Sequence, residues 1–146
     1  MVGAAGSEPI VREVHVDATP ETVFGFFTEP EKLTRWLAVE ATLDPRPGGR
    51  NQQVHTGDGE GSGGPYHMVG EFVEVSPPDR VVFTWGFTDA AVGVPPGSTV
   101  VEVTLVREGR GTRVRLVHRD LPASELDSHA GGWTEMLDRL ARAVAR

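Results

Sequence analysis

Five histidines, His15, His55, His67, His118 and His129, are the side chains of this 146-residue sequence best suited to acid–base work near neutral pH. A histidine near its ordinary pKa would suit enolisation or aldol chemistry as a general base. His118, at an inward position of a strand, and His129, at the start of the last helix, are the two placed to reach one interior space. The competing reading makes each a hydrogen-bonded structural residue. No pair of histidines has metal-ligand spacing such as H-x-x-x-H, and the chain has no cysteine. No metal site, thiol nucleophile or disulfide is therefore expected. Ser62, Ser76, Ser98, Ser124 and Ser128 lack a nucleophile-elbow pattern, so serine hydrolysis is not expected. "PGGR" (47–50) and "GDGEGSGG" (57–64) have glycines but neither a phosphate-loop lysine nor a helix start. They read as a bulged turn and a mobile loop or lid.

Aromatic residues carry a broader signal. Trp36, Tyr66, Phe83, Trp85, Phe87 and Trp133 are spread over four elements. Aromatic side chains line ligand pockets because they offer large apolar area with little rotamer entropy to lose. They also fill ordinary cores, the reading favoured for Phe87.

The elements that must position these groups follow from periodicity. "IVREVHVDA" (10–18) alternates as a strand. Thr19-Pro20-Glu21 and Glu29-Pro30-Glu31 start two short helices in series, with Val23, Phe26, Phe27, Leu33, Trp36 and Leu37 as their apolar positions. Six strands follow, at 39–43, 50–56, 65–75, 80–87, 98–106 and 112–119. Val81, Phe83, Trp85 and Phe87 share one face, as do Val101, Val103 and Leu105, and Val114, Leu116 and His118. Arg113, Arg115 and Arg119 face outward, where Arg pairing with Glu102 across strands is expected. The last helix runs from about Glu125 to the end, with Trp133, Met136, Leu137, Leu140 and Val144 on one face. Gly131 and Gly132 sit near its start, although each glycine costs a helix interior about 1 kcal/mol. Gly132 falls on the apolar face and makes room for the sheet or a ligand. The alternative is an irregular first turn with the true helix beginning at Trp133.

The order β-α-α-β6-α predicts an α+β fold with a curved, antiparallel seven-stranded sheet covered by the long C-terminal helix. Length allows one domain, 9–146, preceded by a disordered 1–8. The net charge of −7 argues against nucleic acid as a partner. No apolar run is long enough to span a membrane and no secretory signal is visible, so a soluble, cytoplasmic protein is expected.

"DATPETVFGFFTEPEKLTRWL", "PGGR", "GEFVEVSPPDRVVFTW", "STVVEVTL", "GTRVRLVH" and "HAGGWTEMLDRL" follow one another in an order that resembles the START-like (SRPBCC, helix-grip) superfamily. The similarity is to its bacterial branch named after the activator of the heat-shock-protein-90 ATPase, and it extends over residues 10–145. It implies a deep cavity between sheet and long helix, and no metal or other cofactor. The superfamily hosts lipid carriers, polyketide cyclases, hormone receptors and co-chaperones, so fold alone does not choose a function. One departure stands out. After "PGG", relatives carry apolar residues at inward positions, whereas here those positions are Asn51 and Gln53, with His55 next. They give a polar wall, unless a one-residue shift turns Gln52 and Val54 inward instead.

The reading is a small, partly apolar organic ligand (a lipid, polyketide or aromatic metabolite) held by Trp36, Asn51, Gln53, Met68, Phe83, Trp85, Val103, His118, Trp133 and Met136, in a monomer or homodimer. Two alternatives stay open. One is a cofactor-free cyclase, aromatase or hydrolase with His118 or His129 as acid/base and Asn51 and Gln53 stabilising an enolate. The other is a co-chaperone-like or stress-response interaction module.

Overall fold

Capping and alternation act where the pattern places them in the computed structural model, which describes residues 8–56 and 64–145. The glycine-rich stretch read as a lid, apart from Gly64, and residues 1–7 of the segment read as disordered lie outside the described residues. The strands are β1 (Ile10–Val16), β2 (Glu40–Leu43), β3 (Arg50–His55), β4 (Tyr66–Ser76), β5 (Arg80–Trp85), β6 (Thr99–Glu108) and β7 (Gly111–Arg119). The helices are α1 (Pro20–Thr28), α2 (Pro30–Leu33) and α3 (Leu126–Val144). The strands form one antiparallel sheet in the order β1-β7-β6-β5-β4-β3-β2. This is the helix-grip layout expected from the sequence. None of the described helices is long and apolar enough to cross a membrane.

The Thr19 hydroxyl accepts from the Thr22 N–H at 3.3 Å, and Pro20 opens α1 without wasting a donor. The helix buries Val23, Phe24, Phe26 and Phe27. Trp36, just past α2, donates its indole N–H to the Phe26 carbonyl at 2.9 Å and meets Phe27 edge-on at 5.1 Å. That fixes the two short helices against one end of the sheet.

The pleat settles the register of β3. Asn51 and Gln53 are buried, while Gln52 and Val54 are only half-buried. The polar residues therefore face the interior. On neighbouring strands Val101 pairs with His118, Val103 with Leu116 and Phe83 with Val101, and all five side chains are buried. The outer face carries the expected charges, with Arg119 2.8 Å and Arg80 3.6 Å from Glu102.

Two expectations change. The strand predicted to end at Phe87 stops at Trp85, because the Phe87 N–H bonds the Val94 carbonyl at 2.7 Å instead of continuing the ladder with β6, and Gly86 passes against the Pro95 carbonyl with no room for a side chain. Phe87 still reaches the core through a bridge to Met68. The last helix starts at Leu126, in line with the expected start at about Glu125 and not with the alternative at Trp133, so both glycines lie within it. A Cβ added at either one would meet no atom within 4 Å. Close approach of the sheet is therefore not the reason for Gly132.

Trp133, Leu137 and Leu140 are the buried face of α3, while Met136 and Val144 are half-buried. Leu140 is fully buried, and Leu140→Ala is expected to cost about 2–5 kcal/mol in urea unfolding. A loss under about 1 kcal/mol would show that α3 is not held by this face.

Candidate ligand-binding cavity

A hollow of about 470 Å³ lies between α3 and the ends of the central strands. From α3 it is lined by Ser128, His129, Gly132, Trp133 and Met136, spaced to share one helical face. From the sheet come His55 at the end of β3, Tyr66 at the start of β4 and Trp85 at the end of β5, with Leu37 following α2. Gly132 thus borders the cavity, and its missing side chain adds to the free volume. Gly131 faces a separate groove with Arg12 and Glu13.

Beside the cavity, one line of hydrogen bonds joins helix to sheet. The Thr99 hydroxyl donates to the Trp85 carbonyl at 2.7 Å. Its oxygen accepts from His118 Nε2–H at 2.8 Å. Trp133 Nε1–H donates to the remaining His118 lone pair, on Nδ1, at 2.9 Å. Both nitrogens of His118 are thereby used, and its ring is fully buried. Burial first, and then the charge of nearby His129, push its pKa down to about 3. This is the neutral, hydrogen-bonded structural histidine among the two readings open from sequence. No lone pair is left with which to take a substrate proton.

A second line runs along β3. Gln53 Nε2 donates to Asn51 Oδ1 at 2.8 Å, so Gln53 Oε1 is free to accept from His55 Nε2 at 2.9 Å. His55 is left with its Nδ1 lone pair, on a ring that forms cavity wall. Burial, together with the charge of His129, lowers the His55 pKa to about 4. His129 uses Nδ1 as donor to the Glu125 carbonyl at 3.2 Å, which leaves its Nε2 as acceptor. Burial lowers its pKa too, against the opposing pull of Glu125. All three imidazoles are neutral at pH 7. Two buried donors, Asn51 Nδ2 and Trp85 Nε1, have no partner among the described residues.

Of the residues proposed from sequence, Trp85, Trp133 and Met136 line the cavity. Trp36, Asn51, Gln53, Met68, Phe83, Val103 and His118 are all buried but lie outside its lining. Asn51 and Gln53 act at one remove, by orienting His55. His129, raised from sequence as an acid/base candidate, is in the wall, as is Tyr66 from the aromatic set. His55 continues the inward alternation of Asn51 and Gln53, a signal sufficient to include it. Leu37 and Ser128 had no such signal.

The sequence profile of the family described as Activator of Hsp90 ATPase homolog 1-like protein matches residues 17–145. The chain belongs to this family. No functionally curated protein matches it. Among solved structures, DynU16, from the dynemicin biosynthetic locus, is 25% identical with a TM-score of 0.75. That match covers 95% of this chain and 48% of the other, so this chain spans about half the length of DynU16. CalU16 from Micromonospora echinospora is 26% identical with a TM-score of 0.72, covering 93% of this chain and 75% of that one. CV1439 from Chromobacterium violaceum is 25% identical with a TM-score of 0.80, covering 94% and 97%. Family and neighbours place the fold in the START-like superfamily, as the order of motifs implied.

The buried imidazoles make stability depend on pH. A histidine with its folded pKa below the unfolded 6.5 favours folding fully above that value and loses the contribution as pH falls toward the folded pKa. Exposed His15, raised by Glu108 and Asp17, works in the opposite sense but is screened by solvent. The urea midpoint is expected to fall between pH 7 and pH 5, and His118→Gln to flatten that slope while lowering stability at pH 7. A midpoint independent of pH over this range would contradict the neutral buried assignment.

Proposed function

We propose that this protein binds a small, partly apolar organic molecule in the cavity under α3. The carrying observation is the 470 Å³ hollow walled by Trp85, Trp133, Tyr66, Leu37 and Met136. Its size falls within the range of small-molecule sites, and a few polar groups in an aromatic wall are what such sites use for orientation. Burying the guest supplies about 25 cal/mol per Å² of apolar area, less the cost of association. The similar protein DynU16 comes from the dynemicin biosynthetic locus, which supports a metabolite as the guest.

A second reading, cofactor-free catalysis on a polyketide-like substrate, is favoured by one observation: His129 lines the cavity with Nε2 unused by the described residues. It predicts turnover that His129→Gln abolishes while binding survives.

The binding reading is tested by filling the space. Gly132→Leu directs a side chain into the cavity without meeting protein atoms at its Cβ. It is expected to preserve or raise Tm and to weaken binding of a two-ring aromatic probe at least about tenfold by calorimetry. Gly131→Ala, on the exposed side, leaves binding unchanged. Equal probe affinity in wild type and Gly132→Leu, or no binding to wild type, would overturn the proposal.

A further inference from the structure

We infer that the guest is a polyhydroxylated aromatic compound that donates hydrogen bonds from separate hydroxyls to His55 Nδ1 and His129 Nε2. This rests on the cavity being the binding site and names the class of molecule it takes. The tautomers are set from outside the cavity. Gln53 takes the Nε2–H of His55, and the Glu125 carbonyl takes the Nδ1–H of His129. Each ring therefore presents an acceptor, and neither acceptor has a partner among the described residues. Both histidines are half-buried, so a guest that covers either lone pair displaces solvent from it and must donate in return, because leaving it dry costs the desolvation of the group.

The donors must come on an uncharged guest. None of the residues lining the cavity is Lys or Arg. Burial also disfavours the protonated form of both histidines. A carboxylate would enter without a fixed counter-charge and face two acceptor lone pairs. A plain hydrocarbon or an ether would leave both lone pairs unsatisfied. Hydroxyls on a ring meet the requirement. They can also accept, and the buried indole N–H of Trp85, in the same wall, has no acceptor. The flat aromatic body packs against the wall that Trp85 and Trp133 make together, their ring centroids 5.2 Å apart and their planes tilted by 50°.

Three probes of one ring skeleton separate these terms: 2,7-dihydroxynaphthalene, 2,7-dimethoxynaphthalene and 2-naphthoate, each titrated calorimetrically into the full chain. The diol is expected to bind wild type at least about tenfold more tightly than the dimethoxy compound, with naphthoate weakest. His55→Phe and His129→Phe should each reduce the ratio of diol to dimethoxy affinity several-fold, with a cooperative thermal unfolding transition reporting that the fold is intact. His129→Gln, which keeps an acceptor, should retain part of the preference. Equal affinity for diol and dimethoxy compound, a preference unmoved in both Phe variants, or tightest binding by naphthoate would overturn the inference and leave the cavity reading standing. Binding of none of the three to wild type would overturn both.

Discussion

The bond from the Trp133 indole to His118 is the constraint on which the cavity depends. It is a single buried N–H···N contact of 2.9 Å between the helix and the sheet. It continues through Thr99 to the Trp85 backbone, so one line of donors and acceptors crosses three strands. Each donor and each acceptor in that line is used once, and all the bonds run in one direction. Reversing the histidine tautomer would set two donors against each other at Trp133. The arrangement therefore holds α3 at a fixed height over β6 and β7. The space beside it stays open where Gly132 and His129 face the ends of β3, β4 and β5.

Elsewhere the same interface is closed. Phe72 and Phe83, in edge contact at 6.3 Å, together with Phe27, Leu116 and Leu140, fill the interior beneath the middle of the sheet. The hollow is a local feature at one end of the helix. It survives because the first two turns of α3 carry small or polar residues where the later turns carry leucine. The helical cost of two adjacent glycines is offset by the packing of Trp133, Leu137 and Leu140.

Much of this was legible in the sequence. Period-two alternation identified the inward faces of the strands, including Asn51, Gln53 and His118. The spacing of Trp133, Leu137 and Leu140 identified the inner face of α3. Depth along each strand was not legible. Alternation tells which way Phe83 and Val103 point, but not whether that point on the sheet is covered by a phenylalanine or left open. Seven proposed residues are buried but outside the lining of this cavity for that reason. Hydrogen-bond direction was hidden too. His118 and His55 occupy equivalent inward positions, yet the first has both nitrogens engaged while the second keeps one free. That difference comes from Trp133, Thr99 and Gln53, partners on other elements or other positions of the strand. The early end of β5 goes with the bond from the Phe87 N–H to the Val94 carbonyl, a long-range partner that no local pattern around Gly86 reveals.

The chain has three tryptophans, Trp36, Trp85 and Trp133, and two of them line the cavity side by side while Trp36 is bonded elsewhere. The indole N–H resonances in a ¹H–¹⁵N correlation spectrum therefore report directly on occupancy. Titration with a two-ring aromatic guest is expected to shift the signals of Trp85 and Trp133 and to leave that of Trp36 in place. Guest binding that moves only Trp36, or that moves no indole signal at all, would contradict a guest site under α3.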